Sequence, residues 1–301
     1  MQIEWQRLLS SERVPIGRSS SSGNDRQRPL ITSQDFRSAF EADYDRVSFS
    51  TAFRRLARKT QVHPLAQNDQ VHNRLTHSIE VAAVGRTLSR MLADLMRRRG
   101  EPIIDAPTTC DDLAWIMQAA CLVHDIGNPP FGHAGEFAIR EWVAEHADVV
   151  FPQSQSVSQG TQTDLRIFEG NAQGFRLAAR TDNQQGYMRL TYATLGSMVK
   201  YPWVSTSPQA EEQGKFNCFS TEQSIFQGIW EQLGLIRDDG SYARHPLSFL
   251  SEAADDICYR IVDLEDAAEI CQILNDDNAK MVAQFPKRFI ALGALPMRSS
   301  E

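Results

Sequence analysis

The sequence predicts an all-α protein, and three observations carry that expectation. Apolar residues recur at helical spacing over long stretches, as in Val81, Val84, Leu88, Met91, Leu92 and Leu95, and again in Leu113, Ile116, Met117, Ala120 and Val123. Glycine and proline stand at the ends of such stretches, at Gly100, Gly127, Pro129, Pro130 and Pro246. No region is strand-rich and none repeats; a small hairpin over 186–190 is the one candidate for extended structure. With 301 residues, 42% of them hydrophobic and 23% charged, the chain can bury one large core or two closely packed ones.

Residues 1–34 read as a separate N-terminal segment in which the Ser-rich, charged run RSSSSGNDRQR at 18–28 is expected to be mobile. A main domain follows over 35–285, and a tail over 286–301. Phe36, Phe40, Tyr44, Phe49 and Phe53 recur about every four residues, as one buried helical face between Asp35 and Arg58 requires, with a break expected in Val47–Ser50. A long helix then carries His77 in its first turn and ends near Gly100. The next starts after Thr109 and is stopped at Gly127, which puts His124 and Asp125 in its last turn. Glu136–Glu145 reads as a short helix, and so do Phe168–Ala179, Leu190–Val199 and Thr221–Leu233. The Gln/Ser-rich stretch from Val149 to Thr163 and the polar stretch from Ser205 to Gly214 read as surface insertions near 150–165 and 205–215. Pro246 opens a helix running to about Leu274.

A net charge of -7 gives no global attraction for nucleic acid or an anionic membrane, so a polyanionic ligand has to be drawn by a local basic pocket. Arg54, Arg55, Arg58 and Lys59 form one such cluster, and Arg97 to Arg99 another. The five cysteines, Cys110, Cys121, Cys218, Cys258 and Cys271, are scattered without a CxxC pair, which favours reduced thiols and a cytoplasmic setting. No segment approaches the roughly 18 apolar residues of a membrane span, and MQIEWQRLLSSER lacks the apolar centre of a signal sequence.

Against that frame stand His77 in NRLTHS, His124 and Asp125 in HDIG, and two aspartates in ADDICY. Imidazole and carboxylate together suit a first-row divalent ion, with Mg²⁺ also tolerated, and leave positions open for water and phosphate oxygens. A single histidine on an apolar helix is commonly a core residue, but here several features act together. Asp125 at a helix end would be a costly buried charge unless paired or bound to a cation. Asp255, Tyr259 and Asp263 recur at i, i+4, i+8, a polar stripe beside apolar Phe249, Ile257, Ile261 and Leu264. His133 and Glu136 in GHAGE are spaced so that the carboxylate can orient the imidazole across one turn.

From about residue 36 to 270 the chain resembles the deoxyguanosine triphosphate triphosphohydrolases, the dGTPase branch of the HD-domain superfamily. The resemblance lies in FSTAFRRLARKTQV, NRLTHSIEVAAVGR, HDIGNPPFGHAGE, FEGNAQGFRL, LTYATLGSMVKYPW and SEAADDICYRIVDLEDA, in family order. It implies a helical HD-domain fold, a divalent metal ion, Mn²⁺ or Mg²⁺, and hydrolysis of dNTP, dGTP by preference, to deoxynucleoside and inorganic triphosphate. The ligands it implies are His77, His124, Asp125 and Asp255; Asp256 stays as the alternative, its side chain pointing about 100° away on an ideal helix. It makes His133 and Glu136 catalytic, His133 serving the attack on the α-phosphorus or protonating the leaving oxygen. It puts Arg74, Asn171, Lys200 and Tyr201 on the phosphates, Tyr259 against the deoxyribose, and Gln61 with Asp263 on the 3′ hydroxyl.

The expected partners are dGTP or another dNTP, further copies of the chain, and single-stranded DNA, with no membrane. Two alternatives stand beside this: another HD-type nucleotidase or phosphodiesterase, using the same metal ligands, and a weakly catalytic regulatory homologue that binds nucleotide or single-stranded DNA, drawing on the Arg54 to Lys59 cluster. Family members continue past the last matched helix into a region that helps close the pocket and adds a phosphate-binding arginine. Here the sequence stops at Glu301, so the metal site is expected to survive while triphosphate affinity suffers.

Overall fold

A computed structural model describes residues 4–15, 36–62, 71–100, 110–153, 156–180 and 188–271, without the side chains of 263 and 266–271. The Ser-rich run at 18–28, the tail over 286–301, most of the N-terminal segment and the first two residues of the expected hairpin lie outside these ranges. The described chain is helical: α1 Trp5–Leu8, α2 Ala39–Ser48, α3 Thr51–Arg54, α4 Arg74–Arg98, α5 Cys110–Val123, α6 His133–Glu145, α7 Ala147–Val150, α8 Gln159–Arg166, α9 Gly170–Ala179, α10 Tyr192–Ser197, α11 Pro208–Gln213, α12 Gln223–Leu233 and α13 Pro246–Cys271. Extended pairing among the described residues is confined to isolated bridges, and Met188–Leu190 adds no hairpin beyond the bridge of Thr191 with Arg13.

α5 is the centre. Its residues from Asp112 to Val123 are buried apart from Trp115, as a helix enclosed on every side requires, and α4, α2, α10 and α13 pack around it. Leu113, Ile116, Met117 and Ala120 meet Val81 and Val84 of α4 and Ala254 and Cys258 of α13 in one continuous core. α12 extends this core through Trp230, which stacks on Phe226 at 3.9 Å and donates its Nε1–H to Ala243 O at 2.8 Å. Asp43 of α2, fully buried, is satisfied by Arg13 and by the Thr191 and Thr194 hydroxyls, which ties the N-terminal segment to the start of α10.

Several sequence expectations change. The helix over 35–58 breaks between Ser48 and Thr51, within the expected Val47–Ser50 stretch, where Ser50 caps α3 by accepting from Phe53 N, but its aromatics do not form one buried face: Phe36 and Phe49 are exposed while Phe40 and Phe53 are buried. The 149–163 and 205–214 stretches are not loops throughout. Ser158 caps α8, and Ser207 caps α11 with Pro208 following it and Gly214 ending it. Helices this short carry too few residues for a period to register, and caps and tertiary bonds hold them. Asp164 of α8, for example, accepts from Ser205 Oγ and Ser220 N, which locks the two insertions together.

Candidate metal centre and active site

Asn73 begins α4 with a reciprocal capping box, its side chain accepting from Thr76 N and Thr76 Oγ1 accepting from Asn73 N. That fixed start turns Arg74 and His77 inward, 8% and 0% exposed. α5 ends at Val123, so His124 and Asp125 sit in the turn beyond it rather than in its last helical turn. Continuous helix could not have aimed both side chains at one point, since neighbours differ by about 100°. The turn does so: Asn128 N donates to Asp125 O at 3.1 Å, and His124 Nδ1 donates to Cys121 O at 2.6 Å, leaving Nε2 to face outward.

His77 Nε2 lies 3.0 Å from Asp255 Oδ1, and His124 Nε2 lies 3.5 Å from the same oxygen and 3.6 Å from Asp125 Oδ2. Donor atoms of His77, His124 and Asp125 all fall within 4.8 Å of one another. Two atoms bonded at about 2.1 Å to one ion are about 3.0 Å apart at right angles and about 3.4 Å apart at the tetrahedral angle. The 3.0, 3.5 and 3.6 Å separations lie near these values, so the residues fit a divalent ion. Electrostatics agree. Although burial opposes it, His124 and the hydrogen bond from His77 hold the Asp255 carboxyl at about 2. Burial likewise works against a proton on His124, yet Asp125 and Asp255 raise its pKa, which is the mark of a site that wants positive charge. Asp256 is exposed, whereas Asp255 faces the two histidines.

Arg74 Nη1 donates to Asp125 Oδ2 at 2.7 Å, while its Nε is buried without a protein partner. Its Nη2 packs against Gly132, where a Cβ would lie 2.6 Å away and where φ is +54°; only glycine suits both conditions. The HDIG turn is equally close to α9, since a Cβ on Gly127 would lie 2.1 Å from both Gly170 O and Gly174 N.

The remaining residues fall into two groups. Glu136 does not orient His133: its Oε1 accepts from Gly170 N at 2.8 Å and its Oε2 lies 3.5 Å from Lys215 Nζ, while His133 is exposed at the first residue of α6. Asn171 Nδ2 donates to Glu169 Oε1 at 2.6 Å, and Glu169 also pairs with Lys215 at 3.0 Å and Arg140 at 3.3 Å, so Asn171 and Glu136 share one buried charge network. On the other side Lys200 Nζ meets Glu252 at 2.8 Å and lies 5.5 Å from the Tyr201 ring centroid. Burial disfavours its charge, but Glu252, Tyr201 and Asp255 raise its pKa overall. Tyr259 is 54% exposed one turn beyond Asp255 and is no core aromatic. Gln61 Oε1 is buried without a partner, just past the bridge of Thr60 with Asn73. The side chain of Asp263 lies outside the described residues.

Lys215, Glu169 and Arg244 were not singled out from sequence, and Lys59 only as part of a basic cluster. Lys59 Nζ donates to Asn128 O at 2.6 Å, and burial, then Arg74, lowers its pKa. Arg244 meets the second oxygen of Glu252 at 2.7 Å. Lys215 reaches Glu136 because the 215–218 stretch pairs with 201–205, Trp203 Nε1 donating to Lys215 O and Asn217 N to Tyr201 O. A long-range pairing of this kind leaves no local signal.

The HD domain family matches residues 74–156, from the first residue of α4 through α7. A deoxyguanosinetriphosphate triphosphohydrolase-like protein of Pseudomonas aeruginosa (strain LESB58) is 46% identical over 276 residues, which is 89% of this chain and 58% of that protein. One of the same description from Synechocystis sp. (strain ATCC 27184 / PCC 6803 / Kazusa) is 43% identical over 281 residues, 88% of this chain and 60% of its own length. A deoxyguanosinetriphosphate triphosphohydrolase of Serratia proteamaculans (strain 568) is 35% identical over 261 residues, 76% of this chain and 50% of its own. The chain thus spans between half and three fifths of these relatives. With an HD domain whose histidines and aspartates converge as described, the chain is similar along most of its length to dGTPase-like HD-domain proteins.

Proposed function

We propose that the protein hydrolyses deoxynucleoside triphosphates, dGTP foremost, to deoxynucleoside and intact inorganic triphosphate. The observation that carries the reading is the convergence of His77, His124 and Asp255 at 3.0 and 3.5 Å, with Asp125 beside them. The names of the relatives supply the substrate class. A divalent ion, Mn²⁺ or Mg²⁺, held by His77, His124, Asp125 and Asp255 would draw charge from phosphate oxygens.

The chain's own groups have the following tasks. Arg74, oriented by Asp125, offers its unpartnered Nε–H to a phosphate oxygen. Lys200, steadied by Glu252, and Tyr201 and Asn171 add further phosphate contacts. Water adds to the α-phosphorus, the bond to O5′ breaks and O5′ receives a proton; His133, exposed and uncommitted to Glu136, takes the water's proton or supplies that of O5′. Glu136 acts at one remove, shaping the loop through Gly170 and Lys215. Tyr259 abuts the deoxyribose, and Gln61, with its unpartnered Oε1, joins Asp263 at the 3′ hydroxyl.

The test is product analysis of each dNTP incubated with the protein and Mn²⁺ or Mg²⁺. Inorganic triphosphate is the expected product; orthophosphate or pyrophosphate in its place refutes the reading. A second reading, a homologue that binds single-stranded DNA without turnover, draws on the exposed Arg54, Arg55 and Arg58 and predicts DNA binding with no product at all. Self-association belongs to either reading, and exposed Phe137 and Trp142 on α6 offer it apolar surface.

A further inference from the structure

The fold treats the two metal-facing histidines differently. His124 donates Nδ1–H to Cys121 O at 2.6 Å, which fixes both ring and tautomer. His77 is fully buried and presents Nε2 to Asp255, but its Nδ1 is buried with no protein partner. A ligating imidazole ordinarily gives its second N–H to a carboxylate, a carbonyl or a water, and the ring orientation depends on that bond.

Three residues further along α4, Glu80 has the complementary want. Its Oε1 lies 3.0 Å from His72 Nε2, while its Oε2 is buried with no donor. His72 precedes the helix cap Asn73, so reaching it draws the Glu80 side chain back toward the start of α4, the direction in which helical side chains lean. That path crosses the level of His77, the i−3 neighbour of Glu80 on the same face. α13 closes the space from the far side: the Cys258 thiol is pushed up to about 12, first by burial and then by the nearby Glu80 carboxylate. A donor and an acceptor thus stand one helical turn apart, both shut off from bulk water. Buried polar groups so placed are regularly joined by an ordered water.

We propose that Glu80 is the positioning residue of His77, its Oε2 receiving the Nδ1–H through one bridging water, with His72 holding the carboxylate in place. The inference rests on the metal-centre reading and adds to it a residue outside the ligand set. It assigns Glu80 a task in orienting a ligand, with no contact to substrate.

The test is Mn²⁺ binding to the full chain, measured by titration alongside the melting temperature of the metal-free protein. Glu80→Ala is expected to raise the metal Kd by roughly 10-fold, the lower end of the range for such partners because the Glu80 side chain is 41% exposed overall. The metal-free melting temperature should stay close to wild type. Glu80→Gln keeps an acceptor and the side-chain volume, so it should recover most of the affinity. A wild-type Kd in Glu80→Ala overturns the proposal, as does a loss that Glu80→Gln fails to reduce. Should Glu80→Ala not fold, His72→Ala carries the test: a raised Kd supports the proposal and an unchanged one refutes it. His77→Ala separates the two levels. If it binds metal normally, the metal-centre reading itself fails; if it loses metal while Glu80→Ala does not, only the role of Glu80 falls.

Discussion

His133 and Glu136 are three residues apart, yet the structure gives them different surroundings. The carboxylate is 3% exposed and committed to Gly170 N and Lys215, whereas the imidazole stands exposed at the mouth of α6. Removing the imidazole therefore disturbs little packing. His133→Ala is expected to keep its fold and its bound metal and to lose turnover by roughly 10²-fold or more, the usual loss of a positioned proton-transfer group. Steady-state rates and metal content measured on one preparation check this, and a near-normal rate would reduce the GHAGE segment to a turn. The i, i+3 spacing was legible in the sequence; the divergence of the two side chains was not, because it depends on Gly170, 34 positions beyond Glu136.

Among elements, the contact of the HDIG turn with α9 leaves no space for a single carbon. A Cβ at Gly127 would sit 2.1 Å from two backbone atoms, which cannot move as a side chain does. Gly127→Ala should cost about 1–3 kcal/mol or more in urea denaturation and weaken metal binding with it, because the same turn carries His124 and Asp125. A variant with the wild-type urea midpoint would mean that α9 yields easily.

A second element contact is pH-sensitive. His245 donates Nε2–H to Leu8 O at 3.1 Å and accepts from Leu247 N at Nδ1, 3.2 Å away, so it joins α1 to the start of α13 only while neutral. Burial lowers its pKa to about 4, with the Leu8 carbonyl opposing. The unfolded chain binds that proton near 6.5, so the contribution is complete above about pH 6.5, declines as pH falls and is lost through the folded value. The full difference corresponds to about 3 kcal/mol. Urea midpoints taken from pH 7 down to 4.5 should fall, and should fall less steeply in His245→Gln; parallel slopes would refute the assignment.

At the scale of the molecule, the proposed metal centre would tie the start of α4, the turn after α5 and the middle of α13, with His77 and Asp255 separated by 178 positions. An ion bound there favours the folded chain as a whole. At a free Mn²⁺ concentration 100 times its Kd the stabilisation should be about 2.7 kcal/mol, visible as a raised melting temperature, and Asp255→Ala should abolish most of it. An equal shift in both proteins would put the ion elsewhere. No helix among the described residues is long and apolar enough to cross a membrane.

The sequence by itself determined which stretches become the long helices and which residues are candidate metal donors. Both are written in local pattern: α4 and α5 follow their apolar period from one cap to the next stop, and HDIG needs no distant residue to be read. Tertiary structure decided the rest. Asp255 rather than Asp256 faces the histidines because the burial of Ala254 and Cys258 against α5 fixes the rotation of α13. α8 and α11 exist within stretches that read as loops because Ser caps and Asp164 hold them. Lys215 enters the Glu136 and Glu169 network, and Lys59 reaches Asn128, through pairings between segments far apart in the chain. A local pattern is a property of neighbours along the chain. Convergence of side chains from distant segments is a property of packing, which appears only when the helices have docked.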